Sequence, residues 1–180
     1  MGFDLHGSNP KINKELDDTT LYGMIDALPN SSKEDFAKKW DIMDNFSDEE
    51  RKEYHKQYDE HHDDNPGIYF RNNVWWWRPL WDFVAYVCED FLTEKDLQGG
   101  SYNDGYEISE DKALKIAKRL EKAVKNGIAD DYSDMIKSRH KIQAKSKDKD
   151  VKFMSNYPYD VENVERFALF CKESGGFQIC

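Results

Sequence analysis

Between Tyr69 and Trp81 the chain reads YFRNNVWWWRPLW, and four of its five tryptophans fall there beside two arginines and two asparagines. Each indole brings a large apolar surface and one N–H that needs an acceptor when buried, so consecutive tryptophans cannot all face one way along a regular element. Pro79 suits the first position of a helix, where its missing N–H costs nothing. Leu80, Trp81, Phe83, Val84, Val87, Cys88, Phe91 and Leu92 then form a broad apolar stripe. The residue before a proline avoids helical geometry, which predicts an extended or turned path over 68–77, with the Trp triplet at the mouth of the helix.

The rest of the chain supplies partners for that segment. Gly2 to Gly7 alternates Phe3 and Leu5 with Asp4 and His6, the period of a short strand, and FQIC at Phe177 to Cys180 is a second strand candidate. Short terminal strands satisfy their backbones best by pairing with each other or with the Trp segment. Helices are predicted elsewhere. Residues 13–27 carry a weak helical pattern. Ser32 with Asp35 opens a helix placing Phe36, Trp40 and Met43 on one stripe, and Ser47 with Glu50 forms a capping box before a helix that is polar nearly all round. Ser109 precedes the clearest helix, with Leu114, Ile116, Ala117, Leu120 and Val124 inward and Lys112, Lys115, Lys118, Arg119, Lys122 and Lys125 outward. Two more are expected over about 130–141 and from near Asp160, with 99–105 a loop and 145–152 a solvated connector. The expected class is α+β: a mostly helical single domain, 1–180, with a small sheet from the N-terminal, Trp-segment and C-terminal strands.

Charge is unevenly placed. Residues 1–66 hold 17 acidic and 8 basic side chains, whereas 67–180 hold 19 and 18. An acidic field repels phosphate backbones, so direct nucleic-acid binding is not expected. No apolar run reaches the ~20 residues of a membrane span, and MGFDLHG has neither the basic region nor the apolar core of a secretion signal. The expectation is a cytoplasmic protein without membrane association. The cysteines, Cys88, Cys171 and Cys180, show neither a disulfide framework nor a CxxC zinc spacing, and Cys88 and Cys171 fit apolar helical patterns as small core residues.

MGFDLHG, IYFRNNVWWWRPLW, the NDG at Asn103 to Gly105, YPYDVENVERF and SGGFQIC together resemble a family of small uncharacterised proteins found in bacteriophages and bacteria. In that family the opening strand runs through a short linker into the YFRNNVWWWRPL segment. The resemblance therefore implies that residues of about 13–66, the acidic helical part, are an insertion. Family members often carry cysteine pairs resembling a zinc ribbon before the stretch matching Tyr157, where this chain has only KSKDKDVK. Neither a metal nor a cofactor is expected.

The candidate ligand-binding residues are Arg71, Asn72, Asn73, Trp75, Trp76, Trp77 and Arg78, with Asp4 and His6 from the opening strand. Indole faces stack on planar rings, guanidinium groups hold phosphate or carboxylate, and amides read hydrogen-bonding edges. The expected ligand is small, planar and anionic, a nucleotide-like molecule bound by a phage-type accessory protein that counters host defence. The competing structural reading fills the core with alternate tryptophans and pairs Arg71 and Arg78 with carboxylates such as Asp4 and Asp104. A second functional class is an interaction module or inhibitor whose acidic insertion docks on a basic host protein surface. Asp4 and His6 share one strand face and could act as an acid–base couple, but no GxSxG, P-loop, GxGxxG or HExxH occurs, and no catalytic residue is assigned. His55, Asp59 and His62 have metal-ligand spacing on a helix, yet they lie in the polar run YDEHHDD without apolar support, so a solvated face is expected.

Overall fold

The computed structural model describes residues 2–180. Among them the elements run β1 (Gly2–Gly7), α1 (Leu21–Asp26), α2 (Lys33–Asp44), α3 (Asp48–Asp64), β2 (Tyr69–Asn73), α4 (Val74–Val87), α5 (Glu94–Gly99), β3 (Tyr106–Ile108), α6 (Glu110–Lys125), α7 (Ile128–Gln143), α8 (Lys149–Met154), α9 (Val161–Glu173) and β4 (Phe177–Ile179). The class is α+β, as expected. The chain forms two compact units, Met1–Lys11 with Pro66–Cys180, and Ile12–Asn65.

The first unit is built on an antiparallel sheet ordered β2-β1-β4-β3. Strand alternation sorts its side chains: Phe3, Leu5, Phe70, Ile108, Phe177 and Ile179 are buried on one face, while Asp4 opposite Arg71 and His6 opposite Tyr69 occupy the other. The buried face meets α4, α6 and α9 in one core. Phe167 of α9 stands edge-on to Trp77 at 5.6 Å and lies 5.2 Å from Phe70, so rings knit sheet to helices. α6 turns Ala113, Ala117 and Ala123 inward beside Ile116 and Leu120. Gly175 and Gly176, both at positive φ, reverse the chain between α9 and β4, and a Cβ on Gly175 would lie 2.1 Å from the Asn9 carbonyl oxygen. Cys88 and Cys171 are buried, and burial pushes the Cys88 thiol up to about 12.

Several elements depart from the sequence reading for local reasons. Residues 13–27 are helical only over α1. Asn13 and Lys14 donate their backbone N–H groups to Asn65 Oδ1 instead, while the Asp17 and Thr20 side chains bond nearby backbone groups and set the helix start. α4 begins at Val74 rather than at Pro79, so the Trp triplet is helical and not extended. β3 and α5 were not anticipated, and the connector at 145–152 is helical from Lys149, capped by Asp148. Ser109 takes the N-cap position of α6 without a side-chain bond to it.

Lys112 points not outward but onto Asp96, at 2.6 and 2.7 Å. Asp96 is fully buried and also accepts from Tyr106 Oη and from the backbone N–H and hydroxyl of Thr93, which ties α5, β3 and α6 together. Burial would raise this carboxyl, but the bonds from Lys112, Thr93 and Tyr106 outweigh it and hold Asp96 at about 2.

In the second unit, Tyr22 and Ile25 of α1 are buried, and aromatic rings of α3 gather around Tyr22. Tyr22 lies 5.6 Å from Tyr54, 5.4 Å from Tyr58 and 5.7 Å from His61. The His62 ring lies tilted against that of Tyr58 at 4.0 Å and donates its Nδ1–H to the Tyr58 carbonyl, so it belongs to this packing and does not converge with His55 and Asp59. The Ser47–Glu50 capping box of α3 forms as expected, and Ser32 with Asp35, expected to open α2, forms one as well. Among the described residues no helix is long and apolar enough to cross a membrane.

The Asp96 contact makes a pH prediction. The folded carboxylate titrates below the unfolded one, so its contribution is complete above about pH 4 and disappears as pH falls toward the folded value. The linked stabilisation is about 2 kcal/mol. Urea unfolding of Asp96→Asn should show a deficit of about 2–3 kcal/mol at neutral pH that narrows between about pH 4 and pH 2.

Candidate ligand-binding cavity

Asn73 is the residue that orients the Trp segment. It is the last residue of β2 and the N-cap of α4, its Oδ1 accepting from the Trp75 and Trp76 N–H groups at 3.0 and 3.2 Å. The strand thus becomes a helix without a loop. Pro79 falls in the second turn, where its ring nitrogen cannot donate to the Trp75 carbonyl, a local cost the buried apolar face of α4 offsets.

Helical spacing then sends the tryptophans different ways. Trp77 is fully buried between Phe3 at 5.3 Å and Trp81 at 5.4 Å, both stacked, so neither indole face is open to a ligand. Its N–H donates to the Gly100 carbonyl at 2.7 Å, and that of Trp81 to the Leu97 carbonyl at 3.1 Å. A Cβ on Gly100 would lie 1.9 Å from the Trp81 ring, which is why the close approach uses glycine. Trp75 is half-buried against Tyr157 at 4.8 Å and Phe153 at 5.1 Å, and Trp76 is half-buried.

The polar candidates also part company. Asn72 is buried and donates to Asn163 Oδ1 at 3.1 Å. Arg71 points to the open sheet face, its Nε 3.4 Å from Asp4 Oδ1, and Tyr69 Oη donates to the same carboxylate. His6 is exposed, its ring 5.2 Å from that of Tyr69. Asp4, His6 and Arg71 therefore share a surface, and of the sequence candidates Trp77 and Arg78 line a cavity.

That cavity, about 330 Å³, lies in the first unit, between α4, α7 and the Gly100–Tyr102 loop, with Met154 and Tyr157 closing one side. Its size suits a small organic ligand. From α4 come Arg78 and Asp82, one turn apart; α7 contributes Tyr132, Ile136, Arg139, His140 and Gln143, a single helical stripe. Arg78 Nη1 donates to Tyr157 Oη at 3.4 Å. Burial raises the Asp82 carboxyl, with Arg139 and Arg78 opposing, and burial followed by the Arg139 charge lowers His140. Gln143 Oε1 is buried with no hydrogen-bond partner among the described residues. The arrangement offers cations to an anionic group, tyrosine rings to a planar one, and Asp82 and Gln143 oxygens to donors.

The α7 residues are not among the sequence candidates, because the helix expected over about 130–141 carries no recognisable motif. An arginine, a histidine and a glutamine recurring beside Tyr132 and Ile136 on one stripe was the available signal. Among the described residues no cluster of His, Cys, Asp or Glu assembles a metal site.

Two substitutions separate cap from surface pair. Asn73→Ala should cost about 1 kcal/mol through loss of the cap, whereas Arg71→Ala, in an exposed ion pair, should cost less; urea unfolding curves of the two variants distinguish them. Comparison of the chain with protein-family models, with curated proteins and with solved structures gives no match.

Proposed function

We propose that this protein binds a small planar anion, a nucleotide-like molecule, in the cavity between α4 and α7. The observation that carries the reading is the placing of Arg78 and Arg139 on a cavity of about 330 Å³ whose walls include Tyr102, Tyr132 and Tyr157. The guanidinium groups take the anionic part, and tyrosine rings take the flat one in place of the Trp77 indole, which is stacked into the core. Asp82 and Gln143 select ligands carrying N–H donors. Arg71, Asn72, Asn73, Trp75 and Trp76 act through the fold and not on the ligand. In the phage setting implied by the sequence resemblance, such a protein serves as an accessory factor that sequesters a nucleotide signal of host defence.

Mononucleotides and cyclic dinucleotides, screened by thermal shift and calorimetry, test this. At a hundredfold excess over its dissociation constant a ligand stabilises by about 2.7 kcal/mol, which for a chain of this length moves Tm by roughly 2–4 °C per kcal/mol. Arg139→Ala should remove the shift and Arg71→Ala should leave it. Absence of a shift with every compound, or an unchanged affinity in Arg139→Ala, overturns the reading.

Acidity should strengthen anion capture. As pH falls, Asp82 gains a proton above the ordinary carboxylate range and His140 below the ordinary imidazole range, and each event makes the cavity more positive. A cyclic dinucleotide, whose phosphodiesters stay ionised throughout, should bind more tightly as pH falls below neutral, and Asp82→Asn combined with His140→Gln should flatten that dependence in calorimetry.

A further inference from the structure

In the second unit, α2 is a twelve-residue helix that buries none of its side chains. Phe36 and Trp40, one turn apart, are 52% and 61% exposed, and Met43 continues their stripe half-buried. A short helix in water is marginal unless its apolar face is covered, yet this one is held ready by the Ser32–Asp35 capping box and by Lys39 Nζ, which donates to the Asp26 carbonyl at 3.1 Å. Tryptophan presented this way is the residue type that most often anchors protein interfaces.

Charge identifies the partner. Residues 12–65 carry 16 acidic and 7 basic side chains, and α3 contributes Asp48, Glu49, Glu50, Glu53, Asp59, Glu60, Asp63 and Asp64. Such a field repels nucleic acid, an anionic membrane and a second copy of the same unit, and it draws in a basic protein surface. We infer that the Phe36–Trp40 face of α2 docks into an apolar cleft on a basic protein surface. The acidic field steers the encounter while the two rings provide the anchor. This site is independent of the cavity in the first unit.

The probe is a fluorescently labelled helical peptide with lysines flanking a leucine stripe, and a matched peptide with glutamate replacing lysine. By anisotropy the full chain should bind the lysine peptide and not the glutamate one. Affinity should weaken about tenfold or more in Phe36→Ala/Trp40→Ala, and again as salt rises from about 50 to about 500 mM. Both side chains are exposed, so far-UV circular dichroism of the double variant should match wild type. As a second readout, Trp40→Phe should keep most of the affinity while losing the peptide-induced protection of a tryptophan from acrylamide quenching. Failure of the lysine peptide to bind, wild-type affinity in the double variant, unchanged quenching protection in Trp40→Phe, or a chain that sediments as a dimer dissolved by the double substitution would each overturn the inference.

Discussion

The change from strand to helix at Asn73 is the constraint on which the rest of the first unit depends. One side-chain oxygen accepts from the first exposed amides of α4 just where the β2 ladder ends. No loop intervenes, so the rotational setting of α4 is inherited from the sheet. Trp77 is thereby driven against Phe3 of the neighbouring strand, and the next residue, Arg78, emerges on the cavity side. A slip of one residue in the β1–β2 register would move Phe70 off the core face and rotate the whole helix with it.

The fold class was legible because its signals are local. Phe3 and Leu5 alternate, SGG precedes FQIC, and Ser32 and Ser47 announce helix starts that the structure bears out. Pro79 misled because two start signals compete within seven residues, and the asparagine cap prevailed over the proline preference. β3 is not legible in the sequence because three residues are too few to show a period, and its backbone pairs with β4, far away in sequence. The cavity was legible only by half. Trp77 and Arg78 stood out in composition, whereas Tyr132, Arg139, His140 and Gln143 gain meaning only when α7 is packed opposite α4.

Polar groups divide between the interior and the surface according to how fully they are satisfied. Asp96 survives complete burial because a lysine, a tyrosine and a threonine supply its hydrogen bonds. Asp4 keeps to the open sheet face, where Arg71 and Tyr69 meet it in partial contact with solvent. In the second unit, histidines take part in packing. Asn65, completely buried, gathers the backbone of Asn13 and Lys14 to the end of α3.

The lip of the cavity has an unusual anchorage. Gly100 and Leu97 lend their carbonyls to the two stacked indoles, and Ser101 and Tyr102 follow directly. A lid on a free hinge could swing while the interior stayed intact, but here swinging breaks bonds made by two indoles of the core. That edge of the hollow is consequently tied to the core. For the ligand proposed above, an edge anchored in this way would leave less ordering entropy to be lost on binding than a free lid would.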